Sequence, residues 1–168
     1  MKRLIAAPAI IGLLLLGCSA EKDATPSEPP GSSEADEPTI KGVLSLLGGA
    51  DGEPTDCVGE DGFNDISPGA EVTVRDGEGV IVGTGELESA ASEASIKQRF
   101  VAAGEGTESD VDELLGIGDG WFCPLFFDVE VAEADFYEIE IGSRDPVTVS
   151  HDDLEADDWY VSRTLDGL

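Results

Sequence analysis

Along much of this chain apolar and polar residues alternate with a period of two, the spacing of strands that turn one face to a core. The clearest case sets Val72 and Val74 against Thr73 and Arg75, followed by Asp76-Gly77-Glu78-Gly79 and then Val80-Ile81-Val82 and Leu87. An aspartate-glycine pair between two β-rich runs predicts a hairpin, because glycine tolerates the positive φ that tight turns need. Phe127, Val129 and Val131 alternate with Asp128 and Glu130, and Tyr137, Ile139 and Ile141 alternate with Phe136, Glu138 and Glu140. Residues 132–135 connect these two strands. Ile40, Val43, Leu44, Leu46 and Leu47 predict a first strand that Gly48-Gly49 stops. Val147 and Val149 predict a short strand after the turn Arg144-Asp145-Pro146, and residues 159–165 supply the last. The densest apolar cluster lies in residues 121–131.

Two stretches break this rhythm. Residues 50–69 are rich in Gly, Asp, Pro and Glu and read as a long loop, with Cys57 inside it. A loop of that length in a compact domain needs something to fasten it. Residues 88–120 are ambiguous: Ile96, Phe100 and Val101 have helical spacing, whereas Ile96, Gln98 and Phe100 also fit alternation. Residues 110–115 read as one helical turn, with Ser109 available as N-cap and Asp112 and Glu113 near the favourable end of its dipole. About seven strands joined by short Gly, Pro and Asp turns predict an all-β fold over residues 39–168. The expected form is an antiparallel β-sandwich, with at most one or two short helices in 88–120.

The amino end follows a different pattern. Lys2 and Arg3 precede an apolar run from Leu4 to Leu16, broken only by Pro8 and Gly12, and Gly17-Cys18 closes it. This is the layout of a secretory signal, and it falls short of the roughly 20 apolar residues of a membrane span. Leu15-Leu16-Gly17-Cys18 resembles a bacterial lipobox. That resemblance implies a lipoprotein signal peptide over 1–17, an acylated (palmitate-bearing) Cys18, and attachment to the outer face of the cell membrane through that lipid. Residues 19–38 hold Pro26, Pro29, Pro30 and Pro38 among serines and acids. They cannot bury enough apolar surface to order themselves and read as a flexible tether. Fully extended, it would reach roughly 60 Å.

Charge narrows the partners. Across 168 residues, 37 acids face nine bases, a formal net charge of −28. Loss of Lys2 and Arg3 with the signal would make this 7 − 37, or −30. Nucleic acids and anionic lipid surfaces carry the same sign and are excluded as partners of a basic face. Lys97 and Arg99 are the one close basic pair of the predicted domain, and nearby acids are expected to balance them.

With Cys18 assigned to lipid, Cys57 and Cys123 remain as an even pair in an exported domain, which predicts a disulfide. A metal site built on them lacks partners, since His151 is the only histidine and neither cysteine stands in a C-x-x-C pair.

Enzyme chemistry finds little to work with. Ser150 beside His151 would point to the opposite face of a strand, no G-x-S-x-G is present, and His151 reads as a surface residue at a strand end. Calcium is a stronger candidate: Glu60, Asp61 and Asp65, and Asp152, Asp153, Asp157 and Asp158, are two acidic clusters. Neither has the spacing of a known calcium loop, and turns favour Asp for conformational reasons.

Ile40-Lys41-Gly42-Val43, then Pro68-Gly69-Ala70-Glu71-Val72-Thr73-Val74, Asp76 and Gly79 resemble the opening of carboxypeptidase-regulatory-like, transthyretin-type sandwiches. Residues 127–131 and 136–141 resemble their closing strands. Cys57-x-Gly59, Gly62-Phe63-x-Asp65-Ile66, the Cys123 strand and Phe136-Tyr137 are similar to actinobacterial secreted lipoproteins of unknown function. Residues 88–120 are longer than that pattern. The resemblance implies a structural or interaction module and brings no catalytic residues or cofactor. The expected function is therefore that of a lipid-anchored extracytoplasmic module that binds an envelope protein or cell-wall partner. The alternative is a calcium-assisted ligand-binding domain, and the third reading is a small secreted hydrolase.

Overall fold

The computed structural model describes residues 37–118 and 120–167. The predicted signal peptide, Cys18 and the tether up to residue 36 lie outside the described residues. In chain order the elements are β1 (Thr39–Leu47), β2 (Ala50–Asp51), β3 (Val58–Gly59), β4 (Glu71–Asp76), β5 (Ile81–Glu86), β6 (Glu88–Ser89), α1 (Glu93–Ala102), α2 (Glu108–Leu115), β7 (Phe122–Glu130), β8 (Phe136–Ile141), β9 (Val147–Ser150), α3 (His151–Ala156) and β10 (Tyr160–Asp166). One four-stranded sheet has the order β10-β1-β7-β6 and the other β5-β4-β8-β9, with β2 and β3 as a separate two-residue ladder.

The two sheets enclose one core, including Ile40, Leu44, Leu125, Phe127, Val129, Val72, Val74, Tyr137 and Ile139. Each of these stands on the inward side of its alternating strand, as the period of two dictates. The fold is the expected β-rich sandwich, with ten strands where about seven were expected. The three additional strands are two-residue pieces, β2, β3 and β6, too short to leave a period in the sequence.

Val43–Leu46 of β1 and Phe122–Phe127 of β7 are buried on both faces because a third layer covers their outer face. Val43, Phe122 and Phe126 face Ile96 and Phe100 of α1 and Val111 of α2 in a second core. Phe100 meets Phe122 and Phe126 edge to face, at ring-centre distances of 5.6 and 6.0 Å. The helical reading wins over alternation for this reason: Ile96 and Phe100, four apart, sit on a sheet face that needs cover, while Val101 is exposed. α2 begins earlier than the sequence indicates. Its N-cap is Thr107, not Ser109, in a capping box with Asp110.

Two further features depart from the expected sandwich. β10 runs parallel to β1, Tyr160 beside Lys41 through Asp166 beside Leu47, although all other ladders are antiparallel. A third helix, α3, lies outside 88–120 and links β9 to β10. Parallel neighbours need a connection that crosses between them. Here the crossing is the whole chain from β2 to α3, so nothing local could announce it.

The sheets approach most closely where β5 crosses β7. A Cβ on Gly83 would stand 2.5 Å from the Glu130 carbonyl oxygen and 2.7 Å from Val131 Cγ1, and one on Gly85 would stand 2.8 Å from Val129 Cγ2. Glycine is required here by space alone, since neither position has positive φ.

Candidate functional site

Cys57 and Cys123 form the predicted disulfide, with Cα atoms 5.7 Å apart and both residues fully buried. It ties the loop before β4 to the start of β7. A second fastening was not foreseen. Asp65 Oδ2 accepts from the Ser143 backbone N–H (3.2 Å), the Ser143 hydroxyl (2.8 Å) and Arg144 Nε (3.0 Å), and Arg144 Nη2 also donates to Asp65 Oδ1. The Arg144 guanidinium lies over the Phe63 ring, 5.0 Å from its centre. Partial burial pushes the Asp65 carboxyl up, but the donors of Arg144 and Ser143 more than offset this and hold it at about 2.

Side-chain contacts occupy two of the seven candidate calcium ligands, Asp65 and Asp153. Asp65 is committed to Arg144 and Ser143. Asp153 Oδ2 accepts from the Ser150 hydroxyl at 2.6 Å, while Ser150 Oγ caps α3 by accepting from the Asp153 N–H at 3.1 Å. Glu60, Asp61, Asp152, Asp157 and Asp158 are exposed. Among the described residues no group of three or more His, Cys, Asp or Glu side chains is placed to hold a metal ion.

His151 stands where β9 ends and α3 begins. Its Nε2 is 3.6 Å from Glu155 Oε1, and its ring meets Trp159 edge to face at 5.1 Å. The adjacent hydroxyl of Ser150 is taken by the cap, so it does not reach the imidazole. His151 lines a shallow cleft of about 670 Å³ with Glu133, Asp135, Phe136 and Asp152. Lys97 pairs with Asp112, and Arg99 pairs with Asp128 at 3.0 Å while stacking on Phe126, so nearby acids balance both bases.

A second groove, also about 670 Å³, lies beside the first residues of β10, Tyr160, Val161 and Ser162. Its apolar lining comes from Val147 and Val149 of β9, Leu154 of α3 and Val161 of β10, with Val101 and Ala102 of α1 at the far end. Glu105, Asp153, Asp157 and Asp158 supply its charge, and no Lys or Arg lines it. Tyr160 lines both this groove and a neighbouring cleft of about 440 Å³. Its hydroxyl is buried without a hydrogen-bond partner among the described residues, and burial pushes the phenol up to about 12.

No family model, curated protein or solved structure matches this chain.

The sequence did not single out this groove. Its walls come from α1, β9, α3 and β10, which span more than fifty positions, and only the parallel placement of β10 brings them together. Among the described residues no helix is long and apolar enough to cross a membrane.

Proposed function

We propose that this protein is a lipid-anchored, extracytoplasmic β-sandwich that acts by binding or structural contact at the cell envelope. The observation that carries this reading is the fully buried Cys57–Cys123 disulfide, which joins two segments otherwise held by noncovalent packing. Structural disulfides persist in oxidising, extracytoplasmic compartments and are rare where thiols are kept reduced. The apolar run ending at Gly17-Cys18 supplies the export route, and the proline-rich residues up to 38 supply the spacing from the bilayer. Resemblance to secreted actinobacterial lipoproteins and transthyretin-type sandwiches points the same way, toward contact and not turnover. One lipid chain gives only marginal membrane attachment, so stable anchoring needs the multiple acylation of a lipoprotein cysteine.

Metabolic labelling with radioactive palmitate tests the anchor in the host cell. Wild type should label and fractionate with membranes, and Cys18→Ala should lose both properties. Equal labelling of the two forms would refute the anchor, and reduced thiols at Cys57 and Cys123 in freshly isolated protein would refute the compartment.

A further inference from the structure

We propose that the free edge of β10 takes an extended, lysine- or arginine-bearing polypeptide as an added strand. This deepens the binding-module reading above by assigning the site and the class of partner. The hydrogen-bond pattern identifies which groups are open. Lys41 donates its N–H to the Trp159 carbonyl at 2.8 Å, and Gly167 donates to the Leu47 carbonyl at 2.9 Å. In a parallel ladder with this register, the odd-numbered residues of β10 bond to β1, and Ser162, Thr164 and Asp166 turn their N–H and C=O groups the other way. Among the described residues no strand pairs with that side.

The other edges of the two sheets offer less. β5 already receives the Ala132 N–H at its Val82 carbonyl (3.1 Å). β9 has four residues and β6 two. β10 presents seven, and an unpaired edge of that length is a template for another strand.

The groove beside Tyr160, Val161 and Ser162 offers such a strand two walls where it begins. Side chains of an added strand alternate between two faces. One set would meet Val147, Val149 and Leu154, between the sheets, and the other would meet Val101 and Ala102, on the helical side. Charge then selects the occupant. Glu105, Asp153, Asp157 and Asp158 border the groove. Of the nearby bases, Arg163 of β10 donates to the Asp145 carbonyl, Arg99 is paired with Asp128, and Lys41 lies in the adjoining cleft. The balance at the groove stays acidic, so basic side chains along the strand are favoured and acidic ones repelled. A second copy of this chain, at −28, is disfavoured. So are residues 19–38, which carry six acids and one base.

The test uses the full chain and a short fluorescent peptide of alternating lysine and valine, read by anisotropy. Wild type should bind it more tightly than a glutamate–valine peptide and more tightly than a lysine–valine peptide N-methylated at every backbone nitrogen, which has the charge but no backbone N–H to donate to a ladder. Ser162→Pro removes one outward N–H from an edge where proline is tolerated, and it should weaken binding about tenfold. Glu105→Gln with Asp158→Asn should weaken it several-fold; asparagine suits the positive φ of Asp158. Amide exchange provides a readout independent of any variant: the Ser162 and Thr164 N–H groups should gain protection when the peptide saturates. Equal binding of the N-methylated peptide, unchanged binding by a folded Ser162→Pro variant, or no gained protection would overturn the proposal. So would self-association of wild type that Ser162→Pro abolishes, because a second copy would then own the edge. None of these results depends on the lipid at Cys18, whose labelling reads the envelope assignment separately.

Discussion

Asp65 and Arg144, 79 positions apart, close on one another through paired hydrogen bonds at the mouth of the sandwich. With the disulfide, this pair pins both ends of the loop from residue 52 to residue 69. Cys57 fastens it to β7 in one sheet, and Asp65 fastens it to the turn between β8 and β9 in the other. Outside the two-residue β3, the loop can lack regular structure because two distant contacts hold it.

The ion pair should make stability depend on acid in a defined window. The Asp65 carboxyl is lowered from its ordinary 3.8 to about 2, so the folded state binds that proton less readily than the unfolded chain. Its contribution is complete above about 4 and disappears as pH falls through about 2. Both side chains are about a quarter exposed, which reduces the contribution to about 1–2 kcal/mol. Urea unfolding of wild type and Asp65→Asn at a series of pH values should give curves that separate above pH 4 and converge below pH 2. Parallel curves throughout would remove Asp65 from the account.

Reduction should cost more. The cysteines are separated by 66 positions, so the bond closes a 67-residue loop, for which chain entropy gives about 4 kcal/mol at 25 °C. The urea midpoint should fall sharply for Cys57→Ala with Cys123→Ala, and the slope should rise, because the unfolded chain without its cross-link exposes more surface. An unchanged midpoint would show that Asp65 and Arg144 hold the loop without help.

The crossing of β5 over β7 should reject even a methyl group. Gly83→Ala places a Cβ against the Glu130 carbonyl and Val131, and overpacking of this kind costs about 2 kcal/mol. Ala at Gly79, in the β4–β5 turn, meets no atom within 4 Å but must adopt φ of 82°, so its cost has a different origin. Thermal unfolding of both variants should show Gly83→Ala responding to truncation of Val131, while Gly79→Ala ignores it.

Tyr160 carries a hydroxyl that gains nothing from the fold. Burial pushes the phenol from 10.0 to about 12 and leaves its oxygen without a partner among the described residues. Tyr160→Phe should therefore be neutral or stabilising at neutral pH. In wild type the folded state holds this proton more tightly than the unfolded chain, so stability should decline as pH rises from about 10 through about 12. The variant should lack that decline. A clear loss of stability in Tyr160→Phe at pH 7 would mean the hydroxyl has a partner.

The sequence by itself determined the strand faces of β4, β8 and the end of β7, the hairpin at Asp76–Gly79, and the pairing of Cys57 with Cys123. These follow from local period, local turn chemistry and the arithmetic of two remaining cysteines. It also exposed the run before Cys18, on which the envelope proposal stands. Tertiary structure alone decided that α1 lies on the outer face of β1 and β7, because whether Ile96 and Phe100 fit a helix or a strand depends on which surface awaits them. It decided as well that β10 lies parallel beside β1, that Arg144 meets Asp65, and that an acid-rimmed groove opens between β9 and β10. Each of those is a meeting of segments far apart in the chain, and periodicity within a short window carries no record of which distant partner a strand edge or a guanidinium will find.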